Sequence, residues 1–206
     1  MNKIILTDVD EVLLKWGYHF EQWYRNTCGN FGRTEPASEL KNAENVEEWL
    51  NCDLETTRKL VKQFNQCKDN FPFLTPYDDA LEYVNKLHKD YGYTFVAITA
   101  CDTDRWTHDV RFNNLEKYFP GVFDTVHCTG LSSSKVDYLQ RYHPTYWVED
   151  KTRHAEDGGN LGHQSFLITR TYNEKDELTI SKRVKSWKEI FNCITNNDCY
   201  HYGWMA

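Results

Sequence analysis

The chain has 206 residues, 40% of them hydrophobic and 27% charged, enough for one sizeable core. A formal net charge of −7 excludes a broad phosphate-backbone surface, because polynucleotide binding needs a basic stripe. It leaves room for a small anion in a local cationic pocket.

Residues 1–3 carry no signal-peptide pattern and lead into a short β-rich run over 4–7, which ends at Asp8. The seven cysteines (Cys28, Cys52, Cys67, Cys101, Cys128, Cys193, Cys199) include no CxxC pair. Neither a zinc knuckle nor a disulfide framework is expected, and reduced thiols in a cytoplasmic protein are. No apolar run is long enough to span a bilayer, so no membrane partner is expected.

Residues 16–25 are aromatic and amphipathic and predict a helix, followed by a turn over 29–32 and a polar loop over 33–45. Asp53 is a good N-cap for a helix with Leu60, Val61, Phe64 and Cys67 on one face. Residues 70–76 return through a proline-flanked loop. Ala80, Val84, Leu87 and Tyr91 then mark a helix stopped by Gly92.

Residues 94–98 predict a buried strand ending at Thr99, 113–119 a short helix, and 121–128 another strand. A helix over 132–142 precedes a strand over 146–148 that ends at Glu149 and Asp150; a further strand covers 165–168. Trp187, Ile190, Phe191 and Ile194 give a terminal helix. This alternation predicts an α/β fold, a doubly wound, Rossmann-like and mostly parallel sheet. Residues 15–75 interrupt it and read as an inserted helical cap, leaving 1–14 and 76–206 as the core domain.

Polar residues capable of chemistry fall at the carboxyl ends of three predicted strands: Asp8 with Asp10, Thr99, and Glu149 with Asp150. In open parallel sheets ligands bind beyond those ends. Each position has a structural alternative when taken alone: a solvated turn for Asp-x-Asp, a helix cap for Thr99, a surface charge for Lys135. The ordered set is far more specific.

That set resembles the four motifs of the haloacid dehalogenase-like (HAD) phosphohydrolases. ILTDVDEVL is similar to the first, a strand ending in Asp-x-Asp. VAIT, ending at Thr99, resembles the second; Lys135 in SSSKVDYL suits the third; YWVEDK, with Glu149 and Asp150, is similar to the fourth. The resemblance implies an aspartyl-phosphate route in which Asp8 is the nucleophile and Asp10 the general acid and then base. It also implies Mg²⁺ held by Asp8, Asp150 and the Asp10 backbone carbonyl, with Thr99 and Lys135 on the phosphoryl oxygens. Glu149 and His154 would act behind these, orienting Lys135 or a metal-bound water.

Two positions depart from the family pattern. Glu11 stands where glycine is common, adding a third negative charge near the phosphate. His154 occupies the place, four residues beyond Asp150, where a second acid is frequent. The small helical insertion and the approach FPFLTPYDDALEYVNKL look similar to 5'(3')-deoxyribonucleotidases, although Ala100, Cys101 and Asp102 replace the serine-rich residues usual there. The expected partner is therefore a small phosphorylated metabolite such as a (deoxy)nucleoside monophosphate, with no extended nucleic-acid surface. A polynucleotide 3'-phosphatase and a non-catalytic phosphate-ligand binder are the alternatives. Arg105 and Arg111 read as surface residues with a secondary possibility of countering substrate charge.

Overall fold

The computed structural model describes residues 3–28, 46–131 and 133–196; the turn and polar loop expected over 29–45 lie outside them. In chain order the first half contains β1 (Lys3–Thr7), α1 (Trp16–Cys28), α2 (Val46–Leu50), α3 (Leu54–Asn65), a 3-10 turn (Phe71–Phe73), α4 (Asp78–Tyr91) and β2 (Tyr93–Ala100). There follow α5 (Arg105–Tyr118), β3 (Phe123–Thr129), α6 (Val136–Leu139), β4 (Tyr146–Glu149), α7 (Thr152–Asn160), β5 (Gln164–Ile168), β6 (Lys182–Val184) and α8 (Trp187–Asn196).

The six strands form one all-parallel sheet in the order β3-β2-β1-β4-β5-β6. Helices cover it, so its inner strands are apolar in unbroken runs, as in the buried stretch of β2 from Phe95 to Thr99. The chain lays β2 and β3 on one side of β1, and β4, β5 and β6 on the other. The sheet order therefore reverses between β1 and β4, the place where open α/β sheets gather ligands. Pairing of Leu6 with Trp147 and Thr7 with Val148 fixes the register there. The Asp8 N–H continues it by donating to Val148 O at 2.9 Å, so Asp8 falls beside Glu149.

Several elements follow from local chemistry. The Asp53 carboxylate accepts from Thr56 N at 2.8 Å and starts α3. Gly92, at φ 71, closes α4 with its N–H on His88 O. Others differ from expectation. The helix expected over 113–119 begins eight residues earlier, at Arg105, capped by Asp104. Its buried face is Thr107, Arg111, Asn114 and Leu115, too polar to register as apolar periodicity. The helix expected over 132–142 is helical only from Val136 to Leu139 among the described residues.

Helix α7 and strand β6 gave no sequence signal. The buried face of α7 is Ala155, Gly158 and Gly159; the two glycines are poor helix formers, and none of the three is a large apolar residue that marks a helical face. Gly158 is required by close approach: a Cβ there would lie 2.3 Å from Trp147 Cδ1.

One buried apolar cluster runs from Ile5 and Val9 through Leu13 and Leu14 into α1, α2 and α3, taking in Phe20, Trp23, Trp49, Phe64 and Phe71; a second, smaller one holds Leu6, Val96, Ile98, Leu139 and Trp147. Phe20 stacks on Trp16 at 4.8 Å and meets Phe64 edge-on at 5.4 Å, so much of the aromatic content is packing. Cys28, Cys52, Cys67, Cys101 and Cys128 are free thiols, whereas Cys193 is disulfide-bonded. That corrects the expectation of reduced cysteines throughout, since pairing depends on approach in the fold and not on spacing. Among the described residues, no helix is long and apolar enough to cross a membrane.

Candidate active site

A cavity of ≈ 930 Å³ opens at the carboxyl end of the sheet, lined by strand ends and by residues of α1, α2 and α3. Its floor contains Asp8, Asp10, Lys135, Glu149, Asp150 and His154, so the fold gathers residues that lie far apart in sequence. Carboxylate oxygens of Asp8, Glu149 and Asp150 come within 4.8 Å of one another, and all three residues are buried. Like charges at that spacing repel unless a cation intervenes.

One cation does. Lys135 Nζ lies 2.9 Å from Asp8 Oδ1 and 3.0 Å from Glu149 Oε1. Burial works against its charge, but Asp8 and Glu149 outweigh it and hold the ammonium above its usual range. Glu149 is pushed upward by burial and by Asp8, with Lys135 opposing; its Oε2 accepts from Asp150 N at 3.0 Å. Burial also raises Asp150, against the pull of Lys151.

Three carboxylates facing one ammonium leave a deficit of positive charge among all-oxygen donors. That donor set fits a hard divalent cation such as Mg²⁺. The Asp10 side chain is not in the cluster, and in the resemblance only its backbone carbonyl would join a metal.

Asp10 instead faces the opposite flank, where Arg111 Nη2 donates to Oδ2 at 2.8 Å. Arg111 is fully buried, which corrects the surface reading; the Arg105 side chain is 95% exposed and keeps it. Burial lifts the Asp10 carboxyl to about 7, with Arg111 pulling it down and Asp8 and Glu11 adding to the rise. Such a group exchanges protons near neutrality.

Thr99 is wholly buried, and its Oγ1 has no hydrogen-bond partner. At this strand end Ala100, one residue on, lines the cavity. His154 lines the cavity from α7, its Nδ1 3.7 Å from Asp157 Oδ2. Burial, with Lys135 nearby, pushes its ring below the usual range and favours the neutral form.

Glu11 has φ 58, the left-handed region, which explains why glycine suits this position. Its carboxylate turns away from the acid cluster and accepts from Gly17 N and Tyr77 OH, both at 2.6 Å. Its carbonyl accepts from Arg170 Nε at 2.7 Å. Glu11 thus ties the chain leaving β1 to the start of α1 and to the residues before α4.

The loop after β5 supplies residues that sequence reading passed over. Tyr172 OH donates to Asp150 Oδ2; burial and Asp150 keep it a phenol. Asn173 Nδ2 donates to Asp150 O at 2.7 Å and to Ile168 O at 2.9 Å. Tyr172 and Asn173 lie four and five residues beyond the strand predicted over 165–168, in the loop at its carboxyl end, where the strand-end rule looks for ligand-binding residues. Arg111, on a helix with a polar buried face, carries no such signal.

No protein-family model matches the chain. An uncharacterized 32.4 kDa protein of the Gp30–rIII intergenic region of Enterobacteria phage T4 is 29% identical over 201 residues, spanning 93% of this chain and 69% of that protein. Among solved structures, L-2-haloacid dehalogenase from Xanthobacter autotrophicus, with chloropropionic acid covalently bound, superposes at TM-score 0.59 and 12% identity, covering 94% and 98% of the two chains. A putative haloacid dehalogenase-like hydrolase from Burkholderia xenovorans gives 0.58 at 15% identity, over 93% and 95%. A HAD-superfamily hydrolase from Ehrlichia chaffeensis gives 0.56 at 14%, over 95% and 98%. The chain has the fold of the HAD-superfamily hydrolases, a Rossmann-like parallel sheet with its acidic cluster at the strand ends.

Proposed function

We propose that this protein is a Mg²⁺-dependent phosphomonoester hydrolase that works through an aspartyl-phosphate on Asp8. The observation that supports this most is the division of the acids: Asp8, Glu149 and Asp150 cluster around one lysine, while Asp10 pairs separately with Arg111. Asp8, Asp150 and the Asp10 carbonyl would hold the metal, with Glu149 and Tyr172 fixing the carboxylates behind them. Bound there, Mg²⁺ supplies the positive charge that lets a phosphate dianion approach a carboxylate.

Asp8 attacks phosphorus, the bond to the leaving oxygen breaks, and Asp10 gives that oxygen a proton. Water then attacks phosphorus and loses a proton to Asp10, and the bond to Asp8 breaks to release phosphate. Lys135 neutralises Asp8 and balances charge on the phosphoryl oxygens. The Thr99 hydroxyl, buried without a partner at the end of β2, would join it.

Trp16 and Tyr18, which line the cavity and keep exposed surface, suit a flat ring, and a (deoxy)nucleoside monophosphate is the proposed substrate class. Residues 15–75 act in this reading as a cap over the site, in a cytoplasmic enzyme. The net charge of −7 disfavours a polynucleotide substrate. The test is phosphate release from nucleotides, sugar phosphates, p-nitrophenyl phosphate and a 3'-phosphorylated oligonucleotide, in Mg²⁺ and in chelator. Halide release from 2-chloropropionate is measured in parallel. Metal-dependent release from mononucleotides is expected; halide release without phosphate release overturns the reading, and silence on every substrate favours a binding protein.

A further inference from the structure

We infer that Arg111 is a positioning residue for the acid/base carboxylate: its single charge-assisted bond holds Asp10 in the rotation that serves the leaving oxygen. The inference rests on the phosphatase reading and adds a role that none of the four sequence motifs contains.

Arg111 reaches Asp10 across 101 residues of sequence and is wholly enclosed. Its guanidinium lies over the Phe71 ring, Cζ 4.6 Å from the centroid. Asn114, one turn along the same helix, donates from Nδ2 to Phe71 O at 2.9 Å. Helix α5 therefore carries both the guanidinium and the tie that keeps its stacking surface in place. The cation cannot swing away, and neither can its one carboxylate partner.

The pairing is poor as a structural device. An arginine buried for stability normally uses its planar fork in a bidentate contact with further bonds to the remaining N–H groups. Here Nε and Nη1 have no hydrogen-bond partner, and neither does Asp10 Oδ1. A buried ion pair so incompletely satisfied gains little over an apolar pair of the same volume. What the geometry does achieve is orientation. One carboxylate oxygen, Oδ2, is held; Oδ1 accepts nothing and is itself buried, while the side chain as a whole stays 21% exposed and lines the cavity.

Asp8, two residues earlier, is held from the other side by Lys135 at 2.9 Å. The two carboxylates of the Asp-Val-Asp stretch are thus fixed independently, by cations on different elements. A nucleophile and a proton donor that must act on opposite ends of one breaking bond need separate supports of this kind.

The leaving group separates this role from a merely structural one. An alkoxide needs a proton as it departs, whereas p-nitrophenolate leaves without one. Arg111→Met, Arg111→Lys, Asp10→Asn and the double variant Asp10→Asn/Arg111→Met are compared with wild type on a sugar or nucleoside 5'-phosphate and on p-nitrophenyl phosphate. The readout is kcat/KM, which covers the step in which the leaving oxygen departs. Arg111→Met is expected to lower it about 100-fold on the alkyl phosphate, the lower end of general-acid contributions, and less than about 5-fold on p-nitrophenyl phosphate. Arg111→Lys should fall between wild type and Arg111→Met on the alkyl substrate. The double variant should be no slower than Asp10→Asn alone.

Equal losses on both substrates, or a further loss on top of Asp10→Asn, overturn the positioning role while leaving the phosphatase reading intact. A wild type that releases phosphate from nothing overturns both. If Arg111→Met is insoluble, Arg111→Lys carries the same comparison, because it keeps the charge and loses the guanidinium that sits over Phe71 and places Nη2 on Asp10.

Discussion

The two sides of the Asp8-Val9-Asp10 stretch carry the same kinds of groups in different proportions. On the β4 side, Lys135 is shared between Asp8 and Glu149, and Asp150 completes a trio of buried acids. On the α5 side, Arg111 meets Asp10 alone. The first side is short of positive charge and has oxygen ligands to spare, which suits a divalent cation and a phosphate. The second is balanced one to one and suits a group that gains and loses a proton. Neighbouring carboxylates in one peptide stretch meet different charge environments because the fold presents them to different partners.

Removing the shared cation should have the largest effect on the protein. Lys135→Met leaves Asp8 and Glu149 facing each other in a buried site and is expected to lower the unfolding free energy by about 3–5 kcal/mol, read by urea denaturation. Arg111→Met should cost clearly less, since Asp10, already near 7, can take up a proton in its place. A larger loss for Arg111→Met than for Lys135→Met would erase the distinction between the two sides.

Solution pH sharpens the comparison without mutation. Asp10, Glu11, Glu149 and Asp150 all lie above their ordinary values, chiefly through burial. For a raised group, the folded state holds the proton more tightly than the unfolded chain. Its contribution to stability is then complete below the unfolded pKa and is lost as pH rises through the folded one. For Asp10 that window runs from 3.8 to about 7. In chelator, Tm is expected to fall between pH 5 and pH 8. Mg²⁺ should raise Tm more at pH 8 than at pH 5, because binding needs ionised carboxylates. A Tm that rises with pH in chelator would contradict the burial of uncompensated acids on the β4 side.

Smaller effects are expected outside both flanks. At φ 58, Glu11→Ala keeps the backbone strain and loses the bonds from Gly17 and Tyr77. Glu11→Gly loses the bonds but relieves the strain, so alanine should be the less stable by about 1 kcal/mol in urea titrations. Arg105, on the same helix as Arg111 but 95% exposed, should change stability by no more than about 0.5 kcal/mol when replaced by Met.

The two sides also differ in how far they could be read in advance. Asp8, Glu149 and Asp150 end apolar strands, and a parallel sheet brings strand ends together whatever joins them, so motif order and strand position were enough. Lys135 was legible through its place in that order, although the helix around it is shorter than its sequence suggests. Arg111 was not legible, because helical periodicity is detected through apolar residues and the buried face of α5 is mostly polar. Tyr172 and Asn173 were accessible in principle, since they lie in the loop at the carboxyl end of a predicted strand. Helix α7 was hidden by Gly158, which is small because Trp147 presses against it. Glu11, one of the two departures from the family pattern, is accommodated by turning its carboxylate toward α1 and Tyr77.

The most direct test of a phosphoryl-carrying Asp8 is covalent. Asp10→Asn protein, which lacks the base for the second step, is mixed with Mg²⁺ and p-nitrophenyl phosphate, quenched in acid and digested for mass spectrometry. The account predicts one added phosphoryl group on the peptide containing Asp8, absent when Asp8→Asn is combined with it. Turnover by the wild type with no adduct at Asp8, together with phosphate release that survives Asp8→Asn, would contradict it.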